Sequence, residues 1–227
     1  MLPTPLPNTF IMQARTPRVF TKNLTPSKTF FDQEKTWMED TTEYREIDVR
    51  HSKLAAALVK GCQQFGIKQG DVVLYLGASH GYTPSFMSDM VGKDGMLFCI
   101  DVAPRVVRDL VFVSEARQNM APILASALHP ESYTWRVTQV DVVYQDIAQK
   151  DQINIFLNNI ALYLKDGGFG MLALKARSIN TLRHPKDIYK EVRATLEKTA
   201  GIIIVDYREL DPFEKDHAFF VVKKKSA

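Results

Sequence analysis

The chain has 227 residues, 45% of them hydrophobic and 24% charged, and carries a formal net charge of +3. That composition suits one medium domain, alone or with a small appendage, and excludes a disordered chain, a collagen-like fibre and a disulfide-rich scaffold. No apolar run approaches the roughly 18 residues that cross a bilayer, and the opening MLPTPLPNTF lacks the basic-then-apolar order of a secretion signal.

Residues 1–50 have a character of their own. Pro3, Pro5, Pro7, Pro17 and Pro26 punctuate short apolar pieces such as Val19-Phe20 and Thr29-Phe30-Phe31. This predicts short strands and turns in a small β-rich domain, or an ordered arm in its place. From residue 51 to residue 227 the pattern is regular. Ser52 caps a helix running to Val59, and Val72–Leu76 is a β-branched apolar run ending in Gly77, as a buried parallel strand does. A helix follows to Met90, a strand at 96–100, and a helix at 104–118 opened by Pro104. Further strands are predicted at 122–125, 140–144 and 169–174, with helices at 149–164 and 185–199. Strands at 202–207 and 217–222, joined by a turn around Asp211-Pro212, close the chain.

Strands alternating with helices predict an α/β fold with a mostly parallel sheet of seven strands. The close connection of the last two strands makes that pair antiparallel. A doubly wound, Rossmann-like sheet with one antiparallel strand near its end is the arrangement of class I methyltransferases.

After the first strand of this region comes Gly77-Ala78-Ser79-His80-Gly81-Tyr82-Thr83. Small residues here let the backbone approach a ligand at the carboxyl edge of the sheet. The spacing is G-x-x-x-G, neither the dinucleotide G-x-G-x-x-G nor a Walker loop, and it fits a plain tight turn equally well. The second strand ends at Asp101, where a carboxylate can accept both hydroxyls of a ribose or cap the helix from Pro104. Loop spacing and the terminal hairpin favour S-adenosyl-L-methionine over a nicotinamide cofactor. His51, His80, His129, His184 and His217 are scattered, and Cys62 and Cys99 are too few for a zinc site, so no metal is expected. Cysteine usage points to a reducing cytoplasm.

Several stretches, taken in order, resemble fibrillarin, the RNA 2′-O-methyltransferase of box C/D guide particles. They include Thr21-Lys22-Asn23-Leu24, the run from Arg50 to Ala57, and the run from Val73 to Ala78. Later come Val140-Asp141-Val142-Val143, Leu174-Lys175-Ala176 and the run from Glu214 to Ala218. The most specific is Asp146-Ile147-Ala148-Gln149-Lys150-Asp151-Gln152, where the family reads D-V-A-Q-x-D-Q. The resemblance covers about residues 21–223 and is to the compact archaeal form, which implies a cytoplasmic protein.

The resemblance implies a catalytic set of Lys53, Asp146, Lys175 and His217, and a cofactor site for S-adenosyl-L-methionine. The cofactor residues it implies are Gly77, Ala78, Gly81, Tyr82, Thr83, Asp101, Val102, Ser126, Ala127, Asp146, Ile147, Ala148 and Gln149. Within that set Lys175 is expected to orient or deprotonate the ribose 2′-OH, Asp146 to orient Lys175, and His217 to carry off the proton or hold a ribose or phosphate oxygen. Without the resemblance, Lys175 reads as a solvated lysine, Asp146 as a helix cap and His217 as a bystander. The chain departs from the family at His80, Tyr82, Asp101 and Ala125-Ser126-Ala127. Ser126 stands where a carboxylate would accept from the adenine amine, and Tyr82 and Ser126 together predict weaker cofactor binding.

Implied partners are a box C/D guide RNA with its rRNA or tRNA target, a coiled-coil scaffold protein and a kink-turn-binding protein, with no membrane. The basic clusters at Arg15-Thr16-Pro17-Arg18, 105–108 and Lys223-Lys224-Lys225 are candidate phosphate contacts, although +3 is too small for tight RNA binding alone. The competing expectation is a paralogue kept as a scaffold component with little catalysis.

Overall fold

The computed structural model describes residues 1–226. The proline-punctuated beginning folds as five short strands: β1 (Leu2–Pro3), β2 (Thr9–Met12), β3 (Arg18–Lys22), β4 (Lys35–Glu39) and β5 (Thr42–Ile47). They form an antiparallel sheet in the order β1-β2-β3-β5-β4. Its central strand buries Val19, Phe20 and Thr21. The apolar piece Thr29-Phe30-Phe31 is a loop, not a strand. Its turn is closed by the Phe30 N–H donating to Glu34 Oε2 at 2.9 Å, and the Phe30 ring lies over the guanidinium groups of Arg45 and Arg117, 5.9 and 5.3 Å from the centroid.

The remainder builds the larger sheet. Its elements are α1 (Lys53–Val59), β6 (Val72–Leu76), α2 (Tyr82–Val91), β7 (Met96–Asp101), α3 (Pro104–Ala116), β8 (Met120–Leu124) and β9 (Val140–Gln145). There follow α4 (Gln152–Tyr163), β10 (Leu164–Lys175), α5 (Ala176–Ile179), α6 (Pro185–Lys198), β11 (Ile202–Glu209) and β12 (His217–Lys224). The order is β11-β12-β10-β9-β6-β7-β8, and β12 pairs antiparallel with both its neighbours while the other pairings are parallel. This is the expected α/β architecture. The near-continuous apolar strands follow from burial on both faces. Val73 and Tyr75 of β6 enter one core with α1, α2 and α3, while Leu74 and Leu76 enter the other with α4 and α6.

The element boundaries differ from expectation in three places. β8 begins at Met120, and α4 begins at Gln152 instead of 149, leaving residues 146–151 as a loop over the sheet edge. β10 runs through Gly167-Gly168 instead of starting after them, with a register shift between Leu164 and Phe169 and Gly167 at φ 75°. Lys165 on Asp141 (2.7 Å) and Lys224 on the Leu164 carbonyl (2.7 Å) hold that stretch extended.

A buried ionic junction docks the small sheet on the large one. Asp89 of α2 accepts from Arg45 Nη1 (2.8 Å), Arg117 Nη1 (2.7 Å), Thr21 Oγ1 (2.8 Å) and the Leu24 N–H (2.9 Å). Arg45 also pairs with Glu34, and all four charged side chains are fully buried. Phe86 lies 4.1 Å beneath the Arg45 guanidinium. With each carboxylate paired to an arginine, the junction tolerates its own desolvation.

Candidate active site at the carboxyl edge of the sheet

β6 delivers Gly77 at φ 84°, where an added Cβ would sit 2.3 Å from the Asp146 carbonyl oxygen. Only glycine allows this loop and the 146–151 loop to come so close. The chain then turns back over the end of β7, and the Ser79 N–H donates to Asp101 Oδ2 at 2.8 Å. The other oxygen of Asp101 accepts from the Ala103 N–H at 3.0 Å. Asp101 thus steadies the first loop and the entry to α3 together.

Between these loops lies a cavity of about 250 Å³ lined by Gly77, Asp101, Val102, Ser126, Ala127, Asp146, Ile147, Ala148 and Gln149. A second, of about 390 Å³, shares Gly77, Ser79 and Asp146 with it and adds Ala78, Tyr82 and Thr83, with Lys53 on its wall. Gly81 lines neither; it precedes α2 at φ 93°, where a Cβ would stand 2.8 Å from Leu110 Cδ1. Ser126 Oγ accepts from the Leu128 N–H at 3.3 Å on the wall of the inner cavity. The Tyr82 side chain turns toward the small sheet: its hydroxyl accepts from the Asp48 N–H at 3.0 Å, and its ring meets Phe31 and Phe86 edge-on at 5.3 and 5.1 Å. Tyr82 is therefore anchored outside the inner cavity.

Two adjoining cavities, one rimmed by Asp101 and the other reaching Asp146, fit a nucleoside carrying an elongated, charged substituent. S-adenosyl-L-methionine has that form.

Around Asp146 four distant segments bring charge together. Ser52 Oγ accepts from the Ala55 N–H at 3.4 Å and starts α1, placing Lys53 at its first turn. Lys53 Nζ is 3.2 Å from Asp146 Oδ2 and 4.0 Å from Glu214 Oε1, and His217 Nδ1 is 3.9 Å from Glu214 Oε2. Lys175 and His217 are cross-strand partners on β10 and β12. Lys175 is exposed, and its side chain makes no hydrogen bond or ion pair among the described residues.

One expected contact is replaced. Asp146 pairs with Lys53, not with Lys175. The Asp146 N–H donates to the Leu76 carbonyl at 2.9 Å, which draws the residue toward β6 and α1. Sequence reading also missed Glu214. Its only signal was its position three residues before His217 in the Glu-Lys-Asp-His run.

The protonation states follow from these surroundings. Burial works against the Lys53 ammonium, but Asp146 and Glu214 outweigh it and raise its pKa above the ordinary lysine value. Burial raises the Glu214 carboxyl, with Lys53 opposing and Asp146 adding to the rise. Burial lowers His217, the Lys215 carbonyl opposes, and Lys53 lowers it further. The His217 ring is therefore neutral at neutral pH. Its Nδ1 lies 2.7 Å from the Lys215 carbonyl oxygen, which can only accept, so Nδ1 carries the proton and Nε2 keeps the free lone pair.

Some members of the basic clusters are engaged within the chain. Arg18 makes two hydrogen bonds to the Glu46 carboxylate at 2.8 and 2.7 Å, Lys223 lies 5.4 Å over the Phe169 ring, and Lys224 reaches Asp166 at 3.5 Å. Among the described residues no three His, Cys, Asp or Glu side chains group as metal ligands do, and no helix is long and apolar enough to cross a membrane. Both cysteines are buried, and burial pushes the Cys62 thiol up to about 12.

Comparison with known proteins agrees with this arrangement. The Fibrillarin family profile matches residues 4–226. A fibrillarin-like rRNA/tRNA 2′-O-methyltransferase of Pyrococcus furiosus is 44% identical over 207 residues, which cover 91% of this chain and 90% of that protein. The crystal structure of Aeropyrum pernix fibrillarin with natively bound S-adenosyl-L-methionine superposes with a TM-score of 0.85 at 40% identity, covering 95% of this chain and 94% of that one. A fibrillarin solved in complex with Nop5p superposes with a TM-score of 0.85 at 30% identity, covering 96% and 97%. A profile match from residue 4 to residue 226, with relatives this close over nearly the whole length, means that the chain belongs to the fibrillarin family.

Proposed function

We propose that the chain transfers a methyl group from S-adenosyl-L-methionine to the ribose 2′-OH of rRNA or tRNA, at positions chosen by a box C/D guide RNA. What supports this reading is the Lys53–Asp146 pair on the wall of a cavity that suits an adenosyl cofactor, with Glu214 linking Lys53 to His217 and Lys175 the cross-strand partner of His217. Residues 1–50 form the small β-rich domain and residues 51–227 the methyltransferase domain in this reading, supported by the two separate sheets.

When bound, S-adenosyl-L-methionine supplies a methyl group on a positively charged sulfur, open to in-line attack by the 2′-oxygen. Asp101 and the 77–83 loop hold the adenosine end in the reading, and Ser126 and the 146–149 loop face its base. Lys175, with no partner among the described residues, orients the 2′-OH. His217 Nε2 would take the hydroxyl proton as the methyl group passes to the 2′-oxygen and its bond to sulfur breaks, the sulfur keeping the electron pair. Lys53, kept charged by Asp146 and Glu214, gives the positive field in which the alkoxide character develops.

A net charge of +3 does not select one ribose, since phosphate contacts are sequence-blind. The reading therefore includes a scaffold protein of the Nop5p kind, a kink-turn-binding protein and the guide RNA, which pairs with the target. The archaeal origin of the relatives supports a cytoplasmic location. The test is methyl incorporation by the reconstituted particle. A 2′-O-methyl at the guide-dictated nucleotide, absent without the guide, is expected. Absence of incorporation by wild type in the full particle favours a scaffold component instead.

A further inference from the structure

The Asp-Ile-Ala-Gln-x-Asp-Gln run ends at Gln152, which the site described above does not use. Gln152 is the first residue of α4 and is fully buried. Its Nε2 donates to the Gln149 carbonyl at 2.9 Å and to the Lys175 carbonyl at 3.1 Å. Its Oε1 accepts from the Lys175 N–H at 3.1 Å. The fully buried Gln145 donates from Nε2 to the Gln152 backbone carbonyl at 2.6 Å.

This arrangement answers a topological problem. β9 and β10 run in register only as far as Gln145 and Leu172; beyond that β9 leaves as the 146–151 loop. The next residues of β10 lose a strand neighbour on that side, and the N–H and C=O of Lys175 would be orphaned. The Gln152 amide supplies both missing partners, as a neighbouring strand would. Because the Lys175 backbone groups face Gln152, its pair with His217 is of the non-hydrogen-bonded kind, in which side chains stand closest. The neighbouring Ala176 N–H points the other way, to the Asp216 carbonyl at 3.0 Å.

We propose that Gln152 is a positioning residue, which ties the backbone of Lys175 to the loop bearing Asp146 and Gln149 and so sets the lysine against the cofactor cavity. The proposal rests on the methyltransferase reading for its kinetic consequence, and on geometry alone for its structural one. Gln152→Met keeps the side-chain length and removes all three hydrogen bonds.

The test uses the full guide-loaded particle with saturating S-adenosyl-L-methionine and a labelled methyl group. Gln152→Met should lower kcat by about ten- to a hundredfold, since a misplaced catalytic group costs up to about a hundredfold, and leave KM for the target RNA within about twofold. In a Lys175→Ala background the same substitution should change the residual single-turnover rate little, because the residue acts through Lys175. An unchanged kcat, or an equal loss with and without Lys175, overturns the proposal; the second outcome marks general loosening. Hydrogen exchange in the wild-type chain gives a readout that needs neither folding of the variant nor turnover. The Lys175 amide should exchange as slowly as those of Met171 and Ala173, and fast exchange overturns the proposal by itself. Failure of wild type to methylate guide-paired RNA is a different outcome, which removes the functional reading and the kinetic role with it.

Discussion

Asp89 and Asp146 each hold a basic side chain at close range, at 2.7 and 2.8 Å for the arginines of Asp89 and at 3.2 Å for Lys53 on Asp146, yet their surroundings differ. Around Asp89 the side chains of Arg45, Arg117 and Glu34 are fully buried, and Asp89 accepts four hydrogen bonds. Around Asp146 the pair is 22% and 24% exposed, and the cluster keeps a free lysine and a neutral histidine. The first cluster compensates each charge and so can only hold two sheets together. The second leaves groups uncommitted around a carboxylate that lines a cavity, which is what chemistry requires. Uncommitted charge, more than charge itself, separates the site from the scaffold here.

The largest effect that follows is on stability. Asp89→Asn leaves two buried guanidinium groups facing a neutral amide, and breaking a buried pair in this way costs about 3–5 kcal/mol. Asp146→Asn, in the partly exposed pair, should cost about 1 kcal/mol or less. Urea unfolding of the two variants checks this, and equal losses would erase the distinction between the clusters.

The reverse ordering holds for activity. Lys175→Ala should reduce methyl transfer by about a hundredfold, the scale of a lost orienting group. Its stability should stay within about 0.5 kcal/mol of wild type, because the side chain is exposed and unpartnered. Calorimetry should find cofactor affinity unchanged. Asp89→Asn, provided it is assayed where it remains folded, should retain transfer.

The strand–helix alternation was legible because buried parallel strands leave apolar runs, as at Val72–Leu76, and helices leave their own period. The terminal hairpin was legible from one short connection. What could not be read was contact between segments far apart in the chain. Asp89 lies inside Phe-Met-Ser-Asp-Met-Val and carries no local sign that two arginines converge on it from Arg45 and Arg117. Phe30-Phe31 looked like a strand because apolarity does not reveal whether a ring covers a neighbouring strand or a buried guanidinium. The four site residues came from resemblance, since a lysine after a strand is by default solvated. Glu214 escaped because a carboxylate amid Pro-Phe-Glu-Lys-Asp-His reads as an exposed loop charge until the fold sets it against Lys53.

A smaller effect concerns the pH dependence of stability. The folded-state pKa of Glu214 is raised above its ordinary 4.5, chiefly by burial. The folded chain therefore binds more protons than the unfolded one in the window that begins near 4.5 and extends up to the raised value. Stability from this group is full below that window and is lost as pH rises through it. Glu214→Gln cannot titrate, so wild type should lose stability relative to the variant on going from acid to neutral pH. Urea melts of both proteins on either side of the window measure the difference. A constant difference would mean that burial does not raise the Glu214 carboxyl in the folded chain.

The smallest effect is a displaced titration that needs no assay of function. His217 is lowered by burial first, the Lys215 carbonyl works against that, and the nearby charges of Lys53 and Lys175 lower it while Asp146 raises it. Lys53→Met removes one of the depressing charges and frees the carboxylates of Asp146 and Glu214 from their cation. All of these changes favour the imidazolium, so the midpoint should move up, toward or past the ordinary 6.5. Following the ring protons of His217 by NMR across pH gives the midpoint in each protein. Asp89→Asn serves as the control, because the buried junction shares no residue with the His217 cluster and should leave that midpoint where it is. A midpoint that stays or falls in Lys53→Met would mean that burial alone sets the His217 charge, and that the partly exposed cluster is no more responsive to its members than the buried one.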